Sequence, residues 1–221
     1  DVFVPSDTSI EDVVEVDPGS NFGCARTRAG RVVCWGDDTY GQLGDGTNAS
    51  TRPGPAPVPG LSNVVDVATG QFHACAALAD GTAWCWGAGN YGQIGHDASP
   101  LSVYWAPTQV RRADGTPLTD VVAVHAGQRH SCVLRGPAGA RVAECFGQGV
   151  NGELGDGGAA QRNHPSVEVV GLPGTTIAFA NGTSSPNTCA WTSEGRGYCW
   201  GRNSSGLELG TGSSGSVGTA T

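Results

Sequence analysis

The sequence predicts an all-β fold, a β-propeller assembled from four copies of one repeat. Each copy contains two cysteines, a Trp-Gly or Phe-Gly dipeptide after the second cysteine, and a Leu-Gly or Ile-Gly dipeptide soon after. Glycine accounts for 36 of the 221 residues without a collagen period, which is typical of many tight turns. We find no amphipathic helical period longer than two turns. Long internal repeats of this kind are typical of propeller blades or solenoid units.

The four repeats keep a regular spacing along the chain. The first cysteines, Cys24, Cys75, Cys132 and Cys189, recur after 51, 57 and 57 residues. The repeats span approximately residues 13–60, 64–112, 121–171 and 176–212 of a single domain covering 1–221, followed by a polar tail over 213–221.

The second repeat shows why each copy reads as four short strands. Its β-branched opening Val64-Val65 favours a strand, and Asp80-Gly81 is typical of a hairpin turn. We therefore expect strands over 64–67, 73–78, 83–86 and, more weakly, 107–110. Four such antiparallel strands make one blade of a propeller.

The repeat cores resemble the regulator of chromosome condensation family. They are CWGDDTYGQLGDG (34–46), CWGAGNYGQIGHD (85–97), CFGQGVNGELGDG (145–157) and CWGRNSSGLELGTG (199–212). The resemblance covers nearly the whole chain and implies a propeller of RCC1-like blades. Its members include exchange factors, an enzyme inhibitor and a light receptor, so it does not define one function. The best-known members have about seven blades, and here Phe146 replaces the tryptophan of the other repeats.

The eight cysteines form one pair per repeat, on either side of a predicted hairpin. The pairs are Cys24 with Cys34, Cys75 with Cys85, Cys132 with Cys145, and Cys189 with Cys199. Opposite residues of antiparallel strands have Cα atoms roughly 4.5–5.5 Å apart, within disulfide reach. Free buried thiols are the alternative, and zinc would need short C-x-x-C spacings that do not occur. Disulfides predict a secreted, periplasmic or cell-surface protein.

The N-terminus is expected to be a processed end. The chain has no methionine, so removal of a signal peptide is the simplest explanation, with a partial chain as the alternative. The fourth repeat has no convincing last strand of its own. Residues 1–7 are therefore expected to supply it, either closing the ring within one chain or entering a neighbouring subunit. The second arrangement predicts a homo-oligomer or filament.

Composition argues against several classes of function. The net charge of −8 and the pI of about 4.9 disfavour nucleic-acid binding. No apolar run reaches 18 residues, so no membrane span is expected. His73 and His130 share a repeat position and are expected to pack inside blades, and Asp45 and Asp156 suit turns better than calcium binding. No nucleophile, phosphate-binding or dinucleotide motif occurs, so we expect no metal, no cofactor and no enzyme activity.

The expected function is that of an extracellular structural or binding module acting through protein–protein contacts, including self-assembly. Aromatic loop residues are the candidate binding anchors: Tyr40, Tyr91, Tyr104 and Trp105. Three sequons are candidate glycosylation sites: Asn48, Asn181 and Asn203. An inhibitor or receptor head that binds one defined partner is the alternative. A secreted enzyme with its site at the propeller channel is less favoured.

Overall fold

The computed structural model describes residues 10–97, 102–165, 168–180, 185–204, 208–210 and 215–220. The described residues contain no helix, so none long and apolar enough to cross a membrane is present there. The strands are β1 Val13–Pro18, β2 Phe22–Thr27, β3 Val32–Asp37, β4 Thr51–Pro57, β5 Val64–Thr69, β6 His73–Leu78, β7 Ala83–Ala88, β8 Val103–Gln109, β9 Val121–Ala126, β10 His130–Arg135, β11 Val142–Gly147, β12 Thr176–Phe179, β13 Asn187–Thr192 and β14 Gly197–Gly201. The all-β prediction is confirmed.

These strands form four antiparallel sheets, one for each repeat. Strands β1–β4 and β5–β8 form four-stranded blades. Strands β9–β11 and β12–β14 form three-stranded sheets, whose outer edges carry isolated bridges, Glu144 to Glu168, Gly147 to Arg162 and Gly201 to Val217. The fourth strand expected over 107–110 begins earlier, at Val103, because the chain already pairs with β7 there.

Consecutive blades pack through three separate apolar cores. The first strands β1, β5, β9 and β12 are the innermost, since β1 packs against β5, β5 against β9 and β9 against β12. Buried side chains of neighbouring blades fill the space between sheets, with one cluster at each of the three interfaces. Among the described strands, no packing of comparable extent joins the first blade to the fourth. Residues 1–7 lie outside the described residues, so closure by an N-terminal strand stays a prediction.

The predicted disulfides are confirmed in all four blades. Each cysteine of the second strand lies directly opposite its partner on the third strand. The Cα–Cα distances are 4.0–4.2 Å, slightly shorter than expected, and no cysteine is free in the described part of the chain. The bonds join Cys24 to Cys34, Cys75 to Cys85, Cys132 to Cys145, and Cys189 to Cys199. Each bond therefore links the second and third strands of one blade.

One contact between blades recurs at all three interfaces. A left-handed glycine in the loop after the third strand lies against an aromatic ring of the next blade. A Cβ added there would come within 3 Å of that ring for each pair, Gly44 with Trp86, Gly95 with Phe146 and Gly155 with Trp200. Only glycine gives both the positive φ and the missing side chain that this approach needs.

The second interface replaces the hydrogen bond that Phe146 cannot make. At the other two interfaces the indole N–H of Trp86 or Trp200 donates to a loop carbonyl, that of Gln42 or Glu153 respectively, at 3.0 and 3.1 Å. The matching carbonyl of Gln93 instead accepts from the Ser131 hydroxyl at 2.8 Å. That hydroxyl lies 2.9 Å from His73 Nε2. Because Ser131 donates to Gln93, His73 carries its proton on Nε2.

The innermost strands each contain a bulge at their second residue. The register slips between Val13 and Glu15 in β1 and at the matching positions of β5, β9 and β12. A bulge re-aims the extra side chain. The bulge residues Val14, Val65 and Val122 are accordingly exposed apolar side chains.

Candidate protein-binding cleft

Two kinds of segment meet at the same end of each blade. Because neighbouring strands are antiparallel, the turn between the first and second strands lies beside the loop that follows the third strand. Hydrogen bonds join the two, as in Ala88 N–H to the Phe72 carbonyl at 2.8 Å. We call this the loop end. Tyr40 and Tyr91 occupy one position in the loops of blades one and two, and Phe72 and Arg129 occupy one position in the turns of blades two and three.

Each loop tyrosine contacts the turn residue of the following blade. The Tyr40 and Phe72 rings lie 5.1 Å apart between centroids. The Arg129 guanidinium lies 4.7 Å from the centroid of the Tyr91 ring, and Arg129 Nη1 donates to the Tyr91 hydroxyl at 3.0 Å. Stacking of a cation on an aromatic face of this kind is favourable.

These four side chains line a cavity of about 210 Å³ that spans the first three blades. We call it the aromatic cleft. Its remaining lining is Ala88, Asn90, Gln93, Ser102, Val103 and Gln128. The cleft thus combines aromatic walls, side-chain amides and one cation, the mixture found in sites that bind small molecules or peptide side chains.

Two buried glutamines hold the tyrosine loops in place. Gln42 Oε1 accepts from the backbone N–H of Tyr40 at 2.8 Å, and Gln93 Oε1 accepts from that of Tyr91 at 2.9 Å. Both glutamines are buried, so these bonds are shielded from water. The loop backbone under the cleft is therefore fixed before any ligand arrives.

Arg129 is the charged group of the cleft. Within the described residues it forms no ion pair with a carboxylate, whereas six other arginines do. Its remaining N–H groups are donors for an anion, and a planar guanidinium suits a carboxylate.

The sequence-based anchors fall into two groups. Tyr40 and Tyr91 lie in the cleft, and Tyr40 is 43% exposed. Tyr104 is 6% exposed and donates its hydroxyl to Asp97 at 2.8 Å, so it offers little surface to a partner. Trp105 is half-buried on β8, and its carbonyl accepts from Gly46 of the first blade.

The sequence does not point to Phe72 and Arg129 as cleft residues, because the repeats carry different residue types at that position. The available signal was positional, since GQFH and GQRH occupy the same place in repeats two and three.

The three sequons differ in their surroundings. Asn48 lies in an exposed loop. Asn181 lies outside the described residues. Asn203 is 0% exposed, and its Oδ1 accepts from the backbone N–H of Leu209. The prediction of a glycan at Asn203 is therefore corrected, since its burial leaves no room for a sugar.

The buried ionisable groups join neighbouring blades. Asp17 Oδ2 accepts from Thr69 N–H at 2.6 Å, and Asp66 Oδ2 accepts from Val124 N–H at 2.8 Å. Burial raises the pKa of Asp17, and burial, with the nearby Glu15, raises the pKa of Asp66 to about 7. Both carboxylates satisfy N–H groups of the next innermost strand.

Three histidines are buried as neutral rings. Burial lowers the pKa of His73 to about 3 and of His125 to about 4, and lowers the pKa of His130 well below its usual value. His130 Nε2 lies 2.7 Å from the Thr188 hydroxyl of the next blade. In the described part of the chain, no three histidine, cysteine or acidic residues form a group suited to a metal ion.

Comparison with known proteins shows the same class of fold. The regulator of chromosome condensation (RCC1) repeat pattern matches residues 29–77 and 80–134, and a second pattern of the same description matches 13–42 and 64–93. Prp20p from Saccharomyces cerevisiae superposes with a TM-score of 0.79 at 23% identity, over 99% of this chain and 51% of that one. Human WBSCR16 gives a TM-score of 0.78 at 23% identity, over 95% and 52%.

Curated relatives share the repeats within much longer proteins. Human E3 ubiquitin-protein ligase HERC2 is 32% identical over 206 residues, which are 91% of this chain and 4% of that protein. Human probable E3 ubiquitin-protein ligase HERC4 is 29% identical over 206 residues, 91% of this chain and 18% of that protein. The chain belongs to the RCC1 repeat family. It spans only a small part of these ligases and about half of the solved relatives.

Proposed function

We propose that this chain is a protein-binding module whose aromatic cleft takes a segment of a partner protein. The observation that carries the proposal is the cleft itself, where Tyr40, Phe72, Tyr91 and Arg129 from three blades line one cavity. Exposed aromatic and arginine side chains around a pocket are frequent anchors of protein interfaces. The relative Prp20p has been studied for its binding to Gsp1p and histones, which supports a protein partner.

The chemistry of the cleft favours an acidic segment with an apolar neighbour. The protein as a whole is acidic, at −8, yet the cleft presents a cation without a carboxylate partner in the described part. An aspartate or glutamate would pair with Arg129, and an adjacent apolar or aromatic side chain would pack against the cleft side of the Tyr40 and Phe72 pair. The volume of about 210 Å³ fits one or two side chains.

Replacing Phe72 by alanine is expected to abolish peptide selection at this site, because the wall opposite Tyr40 is lost. The measurement is selection of peptides from a random display library, followed by titration of the recovered peptides. Arg129→Gln keeps the aromatic walls and is expected to remove the preference for acidic residues, with at least a tenfold loss for an acidic peptide.

The matched control is Val65→Ala, since Val65 is 42% exposed but lies outside the cleft. Equal recovery of the same peptides by the Phe72→Ala variant would refute the site. Recovery of cleft-dependent peptides without acidic residues would refute only the proposed ligand class.

We further propose that the protein works outside the cytosol, in a secreted, periplasmic or cell-surface setting. Four disulfides in one small domain support this location, because reducing compartments keep thiols free. Mass spectrometry after alkylation of protein from its native source is expected to find no free thiol, and eight alkylated cysteines would contradict the proposal.

An inhibitor or receptor head with one defined partner is a narrower version of the same binding function. A single dominant peptide consensus in the selection would favour that version over a general binding module.

A further inference from the structure

The outer face of the first blade exposes residues that are buried wherever the repeat has a preceding blade. Val13 and Val16 are 37% and 55% exposed. Their counterparts are at most 5% exposed, in blade two Val64 and Val67 and in blade three Val121 and Val124. Trp35 is half-buried, and its indole makes no hydrogen bond within the described residues. We call Val13, Val16 and Trp35 the first face.

The outer face of the fourth blade carries the counterparts of the residues that contact a following blade in the first three repeats. Gly210 has a φ of 68°, close to the values of 64°, 69° and 67° at its counterparts Gly44, Gly95 and Gly155. A Cβ at Gly210 would meet nothing within 4 Å among the described residues. Trp191 is 41% exposed, whereas its counterparts Ala77 and Leu134 are buried against the next blade. We call Trp191, Gly195 and Gly210 the fourth face.

A backbone hydrogen bond between neighbouring blades recurs beside the turn that joins the second and third strands. The first and the fourth blade each carry the counterpart of one of its two groups. In the first two interfaces, Val64 N–H donates to the Gly30 carbonyl at 3.0 Å, and Val121 N–H donates to the Gly81 carbonyl at 2.9 Å. The counterpart carbonyl in blade four belongs to Gly195, and a Cβ there would meet nothing within 4 Å among the described residues.

The first blade has the same backbone conformation before its first strand as the two blades whose first strands make this hydrogen bond. Asp12 precedes Val13 with a φ of 56°, and its counterparts Asn63 and Asp120 have φ values of 55° and 62°. The positive φ, which is uncommon for residues other than glycine, is thus kept in a blade that has no described neighbour on that side.

We propose that the fourth face of one chain docks onto the first face of a second copy of this chain. Trp35 would lie against Gly210, its indole N–H would donate to the carbonyl of Glu208, and Val13 N–H would donate to the carbonyl of Gly195. Val16 and Trp191 would be buried together. The junction is then a fourth instance of the interface that the chain already builds three times, and it does not depend on the aromatic cleft.

The second copy is favoured over the chain's own far end by the arrangement of the blades. Extensive packing joins only consecutive blades among the described strands, and the four blades cover about half of a solved relative. Head-to-tail contacts of this kind close into rings when the rotation allows it. Two four-blade arcs joined at both ends give a closed dimer.

Light scattering of the purified chain tests the proposal. The expected mass is twice the 22.4 kDa of one chain. Val16→Asp and Trp191→Asp are each expected to give a single-chain mass, because each places a carboxylate in one half of the apolar junction. Val150→Asp is the matched control, since Val150 is 57% exposed but belongs to neither face, and its mass should stay double.

Mixing the two variants distinguishes a head-to-tail junction from a symmetric one. The Val16→Asp chain keeps its fourth face and the Trp191→Asp chain keeps its first face, so an equimolar mixture should recover a two-chain species. Recovery also shows that both variants fold. A single-chain mass for the unmodified protein overturns the proposal. A mixture that stays at one-chain mass while the wild type is double also overturns it.

Discussion

Replacing Cys75 and Cys85 together by alanine is expected to lower the free energy of unfolding by about 3 kcal/mol. The bond closes a loop with a sequence separation of 10 residues, and loops of this length restrict the unfolded chain by roughly that amount. The second blade lies between two of the interblade cores, so its loosening should spread to both neighbours. Urea denaturation of the oxidised variant against the oxidised wild type measures the difference.

The reduced wild type keeps every cysteine side chain and is the second comparison. Reduction removes all four disulfides, so it should cost more than the alanine pair does. Replacing Cys189 and Cys199 together by alanine opens a loop of equal length in the outermost blade, where one neighbouring core is affected. A loss below about 1 kcal/mol for the Cys75 and Cys85 pair would show that the bond does not restrain the unfolded chain as argued.

Giving the second interface the side chains found at the first is expected to reduce the loss of unfolding free energy that the protein shows at acidic pH. The variant is H73F/S131A/F146W, which places there the counterparts found at the first interface, Phe22, Ala74 and Trp86. At pH 7 the variant should fold, because a buried polar pair is replaced by apolar groups together with the tryptophan that satisfies the carbonyl of Gln93.

The direction of the pH effect follows from the lowered pKa of His73. The folded-state pKa of about 3 lies below the unfolded value of 6.5, so the unfolded chain binds the proton first. The contribution of the neutral ring is complete above pH 6.5 and is lost at about 1.4 kcal/mol per pH unit as the pH falls toward 3. Between pH 7 and pH 4.5 the wild type should therefore lose about 3 kcal/mol more than the variant.

Urea denaturation at pH 7 and at pH 4.5 measures this difference. The raised pKa values of Asp17, Asp38 and Asp66 act in the opposite direction, but they are common to both proteins and cancel in the comparison. Ser131→Ala alone is the control, because it leaves the Gln93 carbonyl and His73 Nε2 without their partner and should cost about 1–3 kcal/mol at pH 7. Equal pH dependence of wild type and triple variant would contradict the role of His73.

The sequence was sufficient to predict the structural features that recur in all four repeats. The blades, the cysteine pairs and the glycine-rich loops each follow from a local pattern, such as alternation, hairpin turns or positive φ, that does not depend on distant residues. The positions of His73 and His130 inside the blade packing were also predictable, since each precedes a buried cysteine on a strand.

The aromatic cleft could be predicted only in part. Tyr40 and Tyr91 share a position, so the repeat made them visible. Phe72 and Arg129 come from another segment, and their contact with the tyrosines depends on how far each loop reaches across the next blade. Tyr104 and Asn203 show the same limit, because the sequence around each predicts an exposed side chain and both are buried. Tyr104 is hydrogen-bonded to Asp97, and Asn203 to the backbone of Leu209.

The differences among the three interfaces bear on how the chain finds its own blade order. Tandem repeats of similar sequence can pair out of turn while folding, and such misassembly is a common failure of repeat proteins. Here a histidine of blade two meets a serine and a histidine of blade three meets a threonine, whereas the matching residue of blade one is Phe22. A histidine placed against Ala74 would lose its hydroxyl partner, at a cost of about 1–3 kcal/mol. The first interface is therefore chemically distinct from the other two, which both pair a buried histidine with a hydroxyl, and this difference disfavours packing the second or third blade in the place of the first.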